Sequence, residues 1–135
     1  MANRCCSLRE TIVGKPGNTG IRRILNATVY SFQGFRHALM NEAAFRQELA
    51  LTAVLVPTAF WLGRTPVEIS LLIGVCLIVL IVELLNSAVE AVVDRHGEER
   101  HTLAGAAKDL GSAAVFVSLV LVVVVWAAVI YDRFL

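Results

Sequence analysis

Three apolar stretches divide the carboxyl-terminal part of the chain, and each approaches the length needed to cross a membrane. They are Leu49–Leu62, Ile69–Val93 and Leu110–Tyr131. A transmembrane helix needs about 20 mostly apolar residues. The first stretch meets this only if its helix starts near Ala43, with Arg46, Gln47 and Glu48 at the interface. The predicted spans are therefore about 43–62, 69–93 and 110–131.

A different pattern precedes the first span. Between Ile21 and Leu39 apolar side chains recur at helical spacing and alternate with Arg and Asn, which predicts an amphipathic helix lying on the membrane surface. Residues 1–20 show no periodicity and are interpreted as a flexible amino-terminal extension, with no assignable role for Cys5 and Cys6. The predicted fold is an all-α membrane protein, with one surface helix and three transmembrane helices in a domain over 21–135.

Composition and charge agree with this architecture and orient it. The chain is 57% hydrophobic, which is too apolar for a soluble domain of 135 residues. Ten of the 12 Lys and Arg residues precede the first apolar stretch or lie between the second and third. This predicts a cytoplasmic amino terminus and an external carboxyl terminus. The inner loop is expected to cover residues 95–108, with the small residues 104–107 in a flexible turn.

Carboxylates lie on one face of the second span. At about 100° per residue, Ser87, Glu90 and Asp94 fall within roughly 40° of Glu83, and Asn86 lies nearby. A charged side chain near the centre of a bilayer costs roughly 2.5 kcal/mol or more. One such group can be a protonated glutamate bonded between helices, and Asn86 with Ser87 can simply join helices. The whole stripe, however, indicates a functional site.

The residue types in this region suit phosphoryl transfer. The region offers oxygen ligands of the kind that Mg²⁺ prefers, from Glu42, Glu83, Glu90, Asp94 and Asp109. It also offers cations for phosphate, from Arg23, Arg95, Arg100 and Lys108. The more deeply placed Glu83 suits a general base acting on a lipid hydroxyl. The sequence contains neither a P-loop nor a Gly-rich kinase loop, so those nucleotide-binding folds are excluded.

Three motifs resemble the prokaryotic diacylglycerol kinase family. They are NEAAFRQE at Asn41–Glu48, VELLNSAVEAVVDR at Val82–Arg95 and AKDLGSAAV at Ala107–Val115. The resemblance implies a homotrimer in the bacterial inner membrane, with active sites shared between subunits at the cytoplasmic boundary. It also implies transfer of the γ-phosphoryl group of MgATP to diacylglycerol, which gives phosphatidic acid.

The resemblance also implies roles for individual residues. Glu83 and Asn86 correspond to catalytic positions, and Glu42 and Glu90 to metal ligands. The expected ATP-binding residues are Arg23, Tyr30, Glu42, Glu90, Glu99, Arg100, His101, Lys108 and Asp109. The expected lipid-binding residues are Arg23, Ser31, Gln47, Glu48, Glu83 and Ser112.

The sequence departs from the family pattern on the surface helix, where Phe32 replaces an expected Trp and Thr28 an expected Ala. These departures concern lipid contacts rather than catalysis. Two alternatives remain open: undecaprenol kinase, which shares the glutamate–asparagine–glutamate core, and a non-enzymatic transport protein that uses Glu83 as an ion or proton site.

Overall fold

Helices account for the regular structure throughout the described part of the chain. The computed structural model describes residues 20–95 and 102–134. The helices are α1 (Ile21–Asn41), α2 (Ala43–Leu62), α3 (Pro66–Arg95) and α4 (Thr102–Phe134). The predicted surface helix is confirmed as a helix, and α2 begins at Ala43, where the first apolar stretch was predicted to be extended.

The chain divides into two compact units, residues 1–34 and 35–135. The described part of the first unit is the beginning of α1, in which every side chain except the half-buried Asn26 is exposed. The predicted extension over residues 1–20 lies outside the described residues, apart from Gly20. The second unit holds the end of α1 and the three longer helices.

The junction between α1 and α2 is closed by polar side chains on backbone carbonyls. Asn41 Nδ2 donates to the carbonyl of His37 at 2.9 Å, and Arg46 Nη1 donates to the carbonyls of Leu39 and Met40 at 3.2 and 3.3 Å. These bonds satisfy acceptors that the last turn of a helix leaves unpaired. The Glu42 backbone is extended there, so α1 ends and α2 starts anew.

The turn between α2 and α3 is fixed by local hydrogen bonds. Thr65 Oγ1 accepts from the Glu68 backbone N–H at 3.2 Å, while Glu68 Oε2 accepts from the Arg64 backbone N–H at 2.8 Å. This arrangement resembles a capping box, and Pro66 occupies the first helical position. A Cβ at Gly63 would lie 2.6 Å from Ile69 Cγ1, so the turn has no room for a side chain there.

Helix α3 is central, because it packs against both α2 and α4. The main apolar core joins all three helices and consists of Ala59, Leu62, Leu72, Val75, Cys76 and Trp126. Only 28% of the apolar stretch of α3 and 11% of that of α4 is buried within the chain. The rest is an apolar surface that lipid or another protein would have to cover.

Helices α3 and α4 are long and apolar enough to cross a membrane, and α2 does not meet the same composition criterion. The prediction of a turn at residues 104–107 is wrong, because α4 already begins at Thr102. Three alanines surround Gly105, and alanine is the strongest helix former. The helix propensity of the alanines outweighs the cost of the single glycine. As a result, α4 extends well beyond its apolar segment.

Candidate functional site

Glu83 occupies a core position of α3. The buried side chains of this helix are Leu72, Val75, Cys76, Val79 and Glu83. They recur every three or four residues, so they form the single face that α3 presents to its neighbours. Glu83 is 4% exposed. The carboxylate that the sequence places within an apolar span therefore faces the protein interior, as expected for a functional or paired ionisable group.

Three other glutamates interact electrostatically with Glu83. The carboxylates of Glu42 and Glu90 interact with that of Glu83, and the Glu83 carboxylate interacts with that of Glu48. Glu42 is the residue before α2, its side chain makes no capping hydrogen bond, and it is half-buried. The ends of α2 and α3 thus bring carboxylates from two helices into one electrostatic cluster.

These carboxylates form a limited set of metal donors. No group of three or more His, Cys, Asp or Glu side chains suited to holding a metal ion occurs within residues 20–95 and 102–134. Mg²⁺ is commonly held by one or two carboxylates together with water and substrate phosphates. A pair such as Glu42 and Glu90 fits that mode, in which the protein supplies only part of the coordination shell.

Asn86 is hydrogen-bonded to one of these carboxylates. Its Nδ2 donates to Glu90 Oε1 at 3.1 Å, one helical turn further along α3. Asn86 Oδ1 is buried and has no hydrogen-bond partner among the described residues. The hydrogen bond to Glu90 therefore sets the orientation of the Asn86 amide.

An ion pair joins the ends of α3 and α4. Lys108 Nζ lies 2.6 Å from Asp94 Oδ1, with the two side chains 41% and 64% exposed. Lys108 also interacts electrostatically with Glu90. The pair therefore holds a cation beside the carboxylate cluster, at the end of the helices that faces the loop between them. Asp109 and Ser112 follow on α4 and are exposed.

Two predicted lipid-binding residues lie on α2. Gln47 is exposed, whereas Glu48 is half-buried and its Oε2 atom is buried without a hydrogen-bond partner in the described part of the chain. Glu48 therefore belongs to the same carboxylate cluster as Glu83. Gln47 has an exposed environment instead.

The remaining predicted site residues lie in the first unit or outside the described residues. Arg23, Tyr30 and Ser31 belong to the first unit, where all three are exposed and Ser31 Oγ donates to the Ala27 carbonyl at 2.9 Å. Glu99, Arg100 and His101 lie outside the described residues.

Two features of the site were not predicted from the sequence. Asp94 is the partner of Lys108, a pairing suggested only in hindsight by opposite charges on either side of a short loop. The second feature is Gly111, the first of four consecutive small residues, Gly111, Ser112, Ala113 and Ala114. Gly111 alone of these is half-buried and approaches α3, where it meets Asn86, and the other three are exposed.

Comparison with known proteins agrees with the motifs. The family described as prokaryotic diacylglycerol kinase matches residues 29–130. The chain is 56% identical over 114 residues to a diacylglycerol kinase of Pseudomonas aeruginosa, covering 84% of this chain and 93% of that protein. It is 51% identical over 113 residues to the one from Haemophilus influenzae, covering 84% and 96%. It is 47% identical over 116 residues to that of Escherichia coli K12, covering 86% and 95%. With the family pattern spanning most of its length, and with relatives of this identity aligned nearly end to end, the chain belongs to the prokaryotic diacylglycerol kinase family.

Proposed function

We propose that this chain is an ATP-dependent diacylglycerol kinase that transfers the γ-phosphoryl group of ATP to the lipid hydroxyl and releases phosphatidic acid and ADP. The observation that carries the proposal is the burial of Glu83 beside the carboxylates of Glu42 and Glu90. Family membership supplies the reaction class, and this cluster supplies the groups that the reaction needs.

Glu83 serves as the general base in this proposal. Its carboxylate accepts the proton of the diacylglycerol hydroxyl as that oxygen attacks the γ-phosphorus, and the bond to the β-phosphate oxygen of ATP breaks. Asn86 orients the neighbouring groups through its hydrogen bond to Glu90.

Glu42 and Glu90 are the residues that would hold Mg²⁺, for which their oxygen donors and partial coordination set are suited. When bound, the metal would neutralise charge on the ATP phosphates. Lys108 is proposed to contact the same phosphates, because its ammonium interacts electrostatically with the Glu90 carboxylate.

Other contacts are proposed from the family motifs. For the nucleotide they involve Asp109, Arg23, Tyr30, Glu99, Arg100 and His101. For diacylglycerol they involve Arg23, Ser31, Gln47, Glu48 and Ser112. Glu48 has the strongest local support, since its buried and unpaired oxygen lies in the cluster with Glu83.

We propose that α2, α3 and α4 all cross the bacterial inner membrane, with the amino terminus cytoplasmic. The charged residues of α2 fall in its first turns, which leaves an apolar stretch for the bilayer. The apolar surface left on α3 and α4 supports assembly into a homotrimer with shared sites.

Subunit mixing tests whether sites are shared. Assayed at an ATP concentration well below the KM that loss of the Lys108 ammonium produces, chains carrying Glu83→Gln and chains carrying Lys108→Leu should each show little activity, because every site lacks one required group. Refolding the two together should restore activity if one site takes Glu83 and Lys108 from different subunits. Mixed oligomers that stay inactive would place both residues in the same chain's site.

The decisive test of function is a lipid kinase assay on the purified protein with two acceptors. With ATP and Mg²⁺, transfer of the γ-phosphoryl group to diacylglycerol is expected to exceed transfer to undecaprenol. Preferential labelling of undecaprenol would reassign the chain to undecaprenol phosphorylation. Absence of labelling of both lipids would contradict a lipid kinase and favour a non-enzymatic role for Glu83.

A further inference from the structure

Helices α3 and α4 pack so closely at Gly111 that there is no room for a side chain at this position. A Cβ built on Gly111 would overlap Asn86 Oδ1, and would lie 3.3 Å from Asn86 Cγ and 3.9 Å from Asn86 Cα. Gly74 and Gly105 provide a contrast, because a Cβ at either position would meet nothing within 4 Å. The backbone of α4 at Gly111 therefore packs directly against the Asn86 side chain of α3.

The Gly111 backbone contacts the oxygen end of the Asn86 amide, whereas the nitrogen end makes the hydrogen bond. Nδ2 donates to Glu90 Oε1 at 3.1 Å, while Oδ1 faces Gly111 and is buried without a hydrogen-bond partner within residues 20–95 and 102–134. An amide flip would exchange the two atoms but fill the same volume, and it would direct an acceptor at a carboxylate. The contact and the hydrogen bond together leave one orientation of the amide.

We propose that Gly111 is a positioning residue for the kinase reaction: its bare backbone holds the Asn86 amide so that Nδ2 fixes the Glu90 carboxylate. The proposal rests on the proposed function, in which Glu90 is a metal ligand. Gly111 itself touches no reacting atom and acts through Asn86.

A methyl group at position 111 should alter the site more than the fold. The atoms it would meet are mainly the far end of the Asn86 side chain, which can rotate away, rather than backbone. Rotation of the Asn86 side chain moves Nδ2 away from Glu90, so the Glu90 carboxylate loses the hydrogen bond that orients it. Groups that hold substrate must keep close to productive geometry, and small displacements lower kcat strongly.

The test compares Gly111→Ala with Gly105→Ala, a matched replacement on the same helix in open space. Purified proteins are assayed with diacylglycerol and ATP over a range of Mg²⁺ concentrations, and their thermal unfolding is recorded. Gly111→Ala is expected to lower kcat about 10- to 10²-fold. It should also raise the Mg²⁺ concentration for half-maximal rate, which a general packing defect would not move. Gly105→Ala should match wild type in both respects.

A second pair of variants keeps the proposal falsifiable if Gly111→Ala unfolds. Asn86→Ala removes the side chain that the new methyl group would meet, so adding Gly111→Ala to it should neither lower the unfolding temperature nor change any residual rate. Further destabilisation by Gly111→Ala in that background would overturn the proposal. So would a Gly111→Ala enzyme with the kcat and Mg²⁺ dependence of the Gly105→Ala control. Wild-type protein inactive on both lipids would refute the proposed function instead, before any variant is compared.

Discussion

Replacing Glu83 by Gln separates the proton-accepting role of this side chain from its packing role. The side chain is 4% exposed and fills a core position one turn after the buried Val79. Glutamine has the same number of non-hydrogen atoms and keeps one carbonyl acceptor, but its amide cannot act as a base at neutral pH. We therefore expect Glu83→Gln to insert and fold normally while losing turnover.

The expected effects on rate and stability differ in size. Loss of a general base costs about 10²- to 10⁴-fold in rate, which corresponds to about 2.7 to 5.4 kcal/mol of activation free energy. Volume-conserving replacements in a packed core usually change the free energy of unfolding by less than about 1.5 kcal/mol. A large fall in kcat with a small change in unfolding is thus the outcome that identifies a base.

The assay measures transfer of the γ-phosphoryl group of ATP to diacylglycerol by detergent-solubilised protein, with unfolding followed in parallel. Glu68→Gln is the matched control, because it lies on the same helix and its carboxylate only accepts hydrogen bonds from Arg64 and Thr65 at the α3 amino terminus. Glutamine can also serve at that capping position, so the control should stay active. Activity of Glu83→Gln within a few-fold of this control would refute the assignment of Glu83 as base.

Two further predictions concern the ends of the bundle. Lys108→Met should raise the KM for ATP about 10- to 100-fold in steady-state kinetics, since a hydrogen bond to a charged group is worth about 1.5–3 kcal/mol. Its unfolding free energy should change little, because the ion pair with Asp94 is exposed, and a large loss would show a structural role instead. Gly63→Ala should lower the free energy of unfolding by about 1–3 kcal/mol in denaturation of the solubilised protein, because its methyl group would collide with Ile69. Gly74→Ala, in open space, is the control, and equal stability of the two variants would contradict the reasoning.

Much of the site could be predicted from the sequence, because the carboxylates of α3 lie on one face of one helix. Helical periodicity alone relates Glu83 to Glu90 and Asp94, whatever the helix packs against. Glu42 was predicted from a motif to belong to the site, and in the structure Glu42 interacts electrostatically with Glu83. The roles of these residues in catalysis and metal binding stay predictions.

The start of α4 marks a limit of the sequence argument. Polar and small residues around Gly105 indicated a turn, yet the helix begins at Thr102. As a result, Lys108 lies within the helix, at a fixed register with Gly111 and one turn before Ser112. A loop would have left Lys108 free, whereas the helix holds it against Asp94.

The sequence by itself determined the local features: where α1 begins, that α2 extends back to Ala43, and which face of α3 carries carboxylates. These follow from hydrophobic periodicity, charge and proline position, which depend on neighbours along the chain. Tertiary structure alone decided that the Glu83 face turns inward and that Gly111 presses on Asn86. Both depend on how closely α3 and α4 approach, and that distance is set by side chains far apart in sequence that pack together only in the folded bundle.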